Sequence, residues 1–508
     1  MNIHLDLQDI KHAALYGATL FAVFYIWSHL AGNLGAFVYE VETIALIPSL
    51  PRREHLTLRE LPADALVLSN GSEVIAARDE FIAAKEDFIF ADLNAMNIAL
   101  YKEGRMEAVY LIVAKGKDGS FYETPNGIYT VKTKARNHFS SIGKVWMPWS
   151  VHFFANYFIH GIPYYTNGVP VSDSFSGGCI RLPTDQAEAL FRAAGTGMPV
   201  LVYSSADRML PDESYYKKAD NDGGLSEHAV SAQGAIAVDF ESGNILWEKN
   251  RDAAYPIASI TKLMTALVAV ESINRYKILS MDAVSLRTAG DSASLLEGDT
   301  FQSEEWLYPM LLTSSNDIAA RYQREVWGFT TIMNQKARAL GMTETFFDDP
   351  TGLSPRNISS VQDLYRLLRF LAEHKKPVFD ITGLARYEAV SRSGGKKHEW
   401  LNMNWNMKDQ RFIAGKSGTS PEALQNMAGV FGVKFGESGT RPVAIIVLGS
   451  QDRVSDTDAI IAYLERDFVY GAAIAEEQAR REGKTVRIIR EGASIWESMG
   501  EFLPGLLQ

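Results

Sequence analysis

Two pairs of residues in this chain have the types and spacing of an acyl-transfer centre. In IHGIPYYTNGVPVSDSFSGGCIRLP, His160 and Cys179 share one compact window, with Ser176, Gly177, Gly178 and Arg181 around the thiol. A thiol attacks as thiolate, which a nearby imidazole can stabilise while acting as general acid and base. Gly177–Gly178 would let backbone N–H groups turn towards a developing oxyanion without side-chain obstruction. In YPIASITKLMTALVAVE, Ser259 and Lys262 stand three apart on an expected helix and project from one face, where a neutral lysine amine can take the serine proton. Each pair also has a plainer reading. A sole cysteine in 508 residues is ordinarily a small buried hydrophobe, and Ser-x-x-Lys is short enough to arise by chance.

The elements that must carry these residues are legible in the surrounding texture. From Phe88, FIFADLNAMNIALYKEGRMEAVYLIVAKG has short apolar runs with a polar turn at Lys102–Arg105, as consecutive strands of a β domain show, and this texture ends near Val200–Tyr203. A polar stretch around Gly223–Gly224 reads as a linker. AIAVDFESGNILWEKN then reads as a hairpin with its turn at Glu241–Asn244, Ser259–Glu271 as a buried helix, and RPVAIIVLGS as a strand covered on both faces.

Composition narrows the function. A formal net charge of -11 argues against a phosphate-binding surface, so nucleic acid is not an expected partner. One cysteine excludes an intrachain disulfide, and the ten histidines are scattered without a close ligand pair on a helix, so neither a metal nor a cofactor is expected. Ala13 to Tyr39 holds no Asp, Glu, Lys or Arg, and a helix of about 27 residues reaches roughly 40 Å, enough to span a bilayer. An uncleaved signal anchor is therefore expected. Lys11 and His12 face Arg52 and Arg53, so flanking charge barely sets its orientation.

The order of residues around Cys179 resembles the L,D-transpeptidase catalytic domain family: His160–Gly161, a spacer, then Ser176–Gly177–Gly178–Cys179–Ile180–Arg181, with ETPNGIYTV similar to the family's Thr-Pro-x-Gly strand entry. The resemblance implies a mostly-β domain with Cys179 as nucleophile, His160 as base and the Gly161 carbonyl orienting the imidazole. It further implies amides of Gly177, Gly178 and Cys179 in the oxyanion hole, and substrate contacts from Ser176 and Arg181, the latter alternatively pinning the loop. Gly177 stands where many members have His. Further on, Ser259-x-x-Lys262, Ser314–Ser315–Asn316 and Lys416–Ser417–Gly418–Thr419 resemble, in that order, the D-alanyl-D-alanine carboxypeptidase branch of the penicillin-binding proteins. That resemblance implies an α+β (α/β sandwich) domain with Ser259 as nucleophile, Lys262 as base and Ser314 as proton relay. Asn316 would meet the substrate amide, Lys416, Ser417 and Gly418 its terminus, and the amides of Ser259 and Thr419 the oxyanion. Thr351 replaces a residue often His in this branch, and none of Glu325, Glu344, Glu373, Glu388 and Glu399 has the Asn four residues on that β-lactam hydrolysis would require.

The expected organisation is a cytoplasmic tail and transmembrane anchor (1–40), a stalk (41–87), an L,D-transpeptidase domain (88–203), a linker (204–229), a serine peptidase domain (230–455) and a C-terminal helical region with an amphipathic tail (456–508). The resemblances imply a peptidoglycan enzyme, single-pass in the cell membrane with its catalytic domains outside. It would trim terminal D-Ala from stem pentapeptides, cross-link the resulting tetrapeptides, and be inhibited by β-lactams. Alternatives are a D,D-endopeptidase for the serine domain, or a degenerate wall-binding module for one domain.

Overall fold

The computed structural model describes residues 70–172, 176–204, 215–218, 225–290, 293–404, 409–470 and 486–488. The anchor expected at 13–39 and the amphipathic tail lie outside them. Among the described residues no helix is long and apolar enough to cross a membrane.

A helix α1 (Asn70–Ala83) leads into a mostly-β half. Its strands β1 (Phe88–Asp92), β2 (Asn97–Lys102), β3 (Arg105–Leu111) and β4 (Gly127–Thr130) join the later β9 (Pro199–Tyr203) in a sheet ordered β3-β2-β1-β9-β4. The pleat sends alternate residues to opposite faces. Phe88, Phe90 and Leu201 pack with Val74 and Ala77 of α1, while Ile89, Ala91, Val200 and Val202 enter the main core of this half. The segment expected to be a stalk is thus, from Asn70, a helix packed on the sheet. A second sheet runs β5 (Thr133–Ser140), β6 (Val145–Phe154), β7 (Tyr157–His160) and β8 (Ile180–Arg181), with α2 (Thr184–Ala193) following. β7 and β8 pair in parallel, Ile159 opposite Ile180 and His160 opposite Arg181.

The second half is an α/β sandwich. Its sheet is β11-β10-β14-β13-β12, where β10 is Gly234–Asp239, β11 Ile245–Lys249, β12 Phe412–Ser420, β13 Leu424–Lys434 and β14 Thr440–Ser450. In β14, Val443, Ile445 and Val447 join one core with α8 (Arg453–Asp467), and Ala444, Ile446 and Leu448 join the other, which explains its unbroken apolar run. That other core is built on α3 (Lys262–Ser272) with α4 (Leu307–Leu312), α5 (Asn316–Glu325), α6 (Phe329–Ala339) and α7 (Val361–His374). Within the stretch read as linker, Tyr215–Lys218 is a strand pairing with Phe468–Tyr470, and the buried Tyr215 ring packs against Phe435.

Both halves belong to one compact unit, Pro62–Gln508. Buried polar contacts join them. The Glu123 carboxylate meets His374 Nδ1 at 2.6 Å, and Lys375 donates to the Glu123 carbonyl at 2.7 Å. Lys336 bridges from Glu271 at 2.9 Å to the Tyr129 hydroxyl at 3.3 Å, and Lys132 donates to Gln335 at 2.6 Å. Gly127, at φ +134°, lies so close to the Ala339 carbonyl that a Cβ would not fit.

Candidate active sites

Parallel pairing of β7 and β8 is what brings the cysteine-site residues together, because it sets the end of one strand beside the start of the other. His160 closes β7, and Cys179 immediately precedes β8. His160 Nδ1 lies 2.6 Å from the Gly161 carbonyl, so the N–H belongs on Nδ1 and Nε2 is left as the basic nitrogen. Ser176 Oγ donates to the Cys179 carbonyl at 2.6 Å and accepts the Gly178 N–H at 3.3 Å. Thr124, from the Thr-Pro-x-Gly strand entry, donates to the Gly178 carbonyl at 2.9 Å and accepts the Gly116 N–H at 2.9 Å. Gly178 has φ +108°, and a Cβ there would collide with the Tyr157 ring, whereas Gly177 faces open space. Arg181 is buried and donates to the Ser172 carbonyl at 3.0 Å.

The half-buried thiol donates to the Asn156 carbonyl at 3.7 Å. Cys179 and His160 line one cavity of about 400 Å³ but share no hydrogen bond. Burial pushes the Cys179 thiol up to about 11 and the His160 imidazole down to about 4. The resting pair is therefore neutral, and not the thiolate and imidazolium that proximity suggested. Nothing in the sequence marked Asn156.

At the serine site, Ser259 sits on a 3-10 turn, Ala258–Thr261, rather than within an α-helix, and Lys262 opens α3. Lys262 Nζ lies 3.0 Å from Ser259 Oγ, 2.7 Å from Asn316 Oδ1 and 2.5 Å from the Thr351 carbonyl. Burial, aided by the positive charge of Lys416, holds the Lys262 amine well below the usual lysine range. Asn316 also donates to the Ala289 carbonyl at 2.7 Å, so its carboxamide links the Lys262 amine to that loop. Thr351 acts through its backbone carbonyl, which makes the departure from His immaterial to that bond. Ser314 is half-buried with φ +63°, and its hydroxyl makes no hydrogen bond among the described residues.

β12 closes the site from the other side. A Cβ on Gly418 would come within 2.7 Å of the Ile257 carbonyl and 3.0 Å of the Ser259 nitrogen, which places Lys416–Thr419 against the nucleophile turn. Gly352, at φ +86°, abuts the Ala258 carbonyl from the Thr351 loop. Lys416 is buried, donates to the Ser417 carbonyl at 2.8 Å, and is lowered to about 7 by burial and by Arg453. The Ser417 hydroxyl is turned to Asn404 Oδ1 at 2.9 Å. Arg453 donates to Thr419 Oγ1 at 2.8 Å and so adds a cation beside the expected terminus-binding strand. Asn404 and Arg453 were not anticipated, since both lie outside the motifs.

Cys179 with His160, and Ser259 with Lys262, each beside glycine-lined backbone, form two candidate sites of different chemistry. Residues 86–202 match the L,D-transpeptidase catalytic domain family, and residues 221–451 match the D-alanyl-D-alanine carboxypeptidase family. The chain belongs to the D-alanyl-D-alanine carboxypeptidase family and carries an L,D-transpeptidase catalytic domain ahead of it. It is 32% identical over 207 residues to the D-alanyl-D-alanine endopeptidase of Haemophilus influenzae, covering 39% of this chain and 69% of that protein. It is 34% identical over 149 residues to the D-alanyl-D-alanine endopeptidase of Pseudomonas aeruginosa (28% and 48%), and 29% identical over 226 residues to the D-alanyl-D-alanine carboxypeptidase DacF of Bacillus subtilis (42% and 53%). The chain thus spans about half the length of the latter two.

Proposed function

We propose that this chain is a bifunctional peptidoglycan enzyme, anchored in the cell membrane by residues 13–39 with both centres outside. Ser259, deprotonated by Lys262, attacks the penultimate D-Ala carbonyl of a stem pentapeptide. The terminal D-Ala leaves with a proton relayed through Ser314, and water releases the tetrapeptide. Lys416, with Arg453 beside it, supplies the positive charge that holds the substrate's terminal carboxylate. Cys179, with His160 taking its proton, attacks the carbonyl of the tetrapeptide's third residue, expels the terminal D-Ala with that proton, and passes the resulting tripeptide thioester to an amine of a second stem, giving a 3-3 cross-link. The product of the serine centre is then the donor of the cysteine centre. β-Lactams would acylate Ser259 in place of the stem peptide.

The observation that carries this reading is the buried amine of Lys262 at 3.0 Å from Ser259, on the same chain as a thiol and an imidazole in one cavity. Ser259→Ala is expected to abolish D-Ala release while leaving cross-linking of purified tetrapeptide, and Cys179→Ala to do the reverse. Loss of both reactions in either variant contradicts two independent centres. A second reading, cleavage of existing 4-3 bridges by the serine centre, is favoured by the names of the endopeptidase relatives. Assay of cross-linked dimers against pentapeptide separates the two.

A further inference from the structure

Ala155 and Asn156 form the two-residue turn between β6 and β7, and that turn lies against the cysteine sulfur. Ala155 takes a left-handed backbone, φ +40°, and its carbonyl accepts from His152 Nε2 at 2.7 Å, within the same hairpin. Asn156 is exposed and reaches two ways. Its carboxamide donates to the Ser272 carbonyl at the end of α3, 2.5 Å away, and its backbone carbonyl accepts the Cys179 S–H at 3.7 Å. Asn156 thus bridges the serine half to the nucleophile of the cysteine half.

The thiol has one hydrogen, and it goes to Asn156; the proton that His160 must take is held by a carbonyl of the turn. A carbonyl oxygen beside sulfur favours the neutral thiol, since it accepts from S–H and repels a thiolate. The Phe158 N–H, two residues on, faces the same sulfur and favours the thiolate. The other polar groups around the sulfur are Arg181, whose charge also favours the thiolate, the neutral His160 imidazole, and the Tyr157 hydroxyl, whose ionisation a thiolate opposes. The hairpin therefore offers one backbone group to each protonation state of the thiol, and the placing of the Asn156 carbonyl shifts the balance between them.

We propose that Asn156 is a positioning residue for Cys179: anchored on Ser272 of the serine half, its backbone carbonyl keeps the S–H proton from His160 in the resting enzyme. This rests on the reading of Cys179 as acyl carrier. On attack the S–H leaves the carbonyl, its proton passes to His160 Nε2, the electron pair stays on sulfur, and the Phe158 N–H remains to hold the thiolate. Cutting the anchor frees the carbonyl to turn away, and the resting thiol then ionises more readily.

The test uses the full chain labelled with carbon-13 at the cysteine Cβ. With one cysteine in the sequence there is one signal, and its shift follows ionisation of the thiol whatever the access of a reagent. The wild-type midpoint is expected near 11. Asn156→Leu, which keeps the volume without the N–H donor, is expected to lower that midpoint by about half to one pH unit, the equivalent of one lost neutral hydrogen bond. Asn156→Gln, which retains a donor on an exposed and adaptable side chain, should return it towards the wild-type value. A midpoint unmoved in Asn156→Leu, or lowered as far in Asn156→Gln, overturns the proposal. Should Asn156→Leu fail to fold by circular dichroism, Asn156→Ala, too short to reach Ser272, decides in its place. The underlying reading is judged apart: a wild-type thiol that gains no tripeptidyl mass from a tetrapeptide is no acyl carrier, an outcome distinct from an unmoved midpoint.

Discussion

Lys262 Nζ lies 3.0 Å from Ser259 Oγ, and the carbonyl oxygens of Asn316 and Thr351 stand at 2.7 Å and 2.5 Å from the same nitrogen. A neutral amine has two N–H groups, and these two acceptors take both. Its lone pair is then left for the serine hydroxyl, which is the arrangement a base needs. Lys262→Arg removes the base, because a guanidinium keeps its proton at any working pH. D-Ala release is expected to fall by about 100- to 10,000-fold with folding intact by circular dichroism; an active Lys262→Arg enzyme would rule the assignment out.

The pH profile of the serine centre follows from its two lysines. Lys262 must be neutral, so activity rises as it loses its proton. Lys416, lowered to about 7, must be charged to hold a carboxylate, so kcat/KM is expected to fall as pH rises through about 7. Bound carboxylate stabilises the ammonium, which moves the corresponding limb of kcat to higher pH. Lys416→Arg keeps its charge and should abolish the alkaline limb of kcat/KM. A limb that survives in that variant must come from another group.

The thiol should be sluggish towards simple reagents. With Cys179 pushed up to about 11, the thiolate fraction at pH 8 is on the order of one in a thousand. Alkylation by iodoacetamide, followed by mass spectrometry, is expected to rise about tenfold per pH unit towards pH 11, without a plateau near neutrality. A plateau at or below pH 7 would mean that a thiolate–imidazolium pair exists before substrate arrives.

Lys336 and Glu271 form an ion pair with no exposed side-chain surface, and Lys336 also reaches the Tyr129 hydroxyl of the other half. Removing one partner strands the other charge. Lys336→Ala is expected to cost about 3–5 kcal/mol in urea unfolding, and Lys336→Met combined with Glu271→Leu to recover much of that loss. A change under about 1 kcal/mol for the single variant would mean that solvent already reaches this pair.

What was readable in the sequence is what chemistry compresses into short spacings. His160, Cys179, Ser259 and Lys262 announce themselves because each base lies close along the chain to its nucleophile, and the hairpin of β10 and β11 carries its turn residues in one run. β14 was legible because a strand covered on both faces has no polar position. The joint between the halves was not. Glu123, Lys336, His374 and Lys375 look like solvated surface in the sequence, since hydropathy cannot tell a buried charge with a partner from an exposed one. Asn156 reaches the cysteine cavity through tertiary packing alone. The α-helical placement of Ser259 failed because the chain takes a tighter turn there, with Ala258 at φ +46°.

The length of α3 is shared property. Ten residue steps separate the Lys262 amine beside Ser259 from the Ser272 carbonyl that takes the Asn156 carboxamide, about 15 Å of helix. One residue inserted or deleted in that span would turn one end against the other by about 100°, pulling either Lys262 off Ser259 or Ser272 away from Asn156. A substitution in this stretch can leave both ends in place where an insertion or deletion cannot, so the geometry of the two candidate sites answers to a single run of backbone.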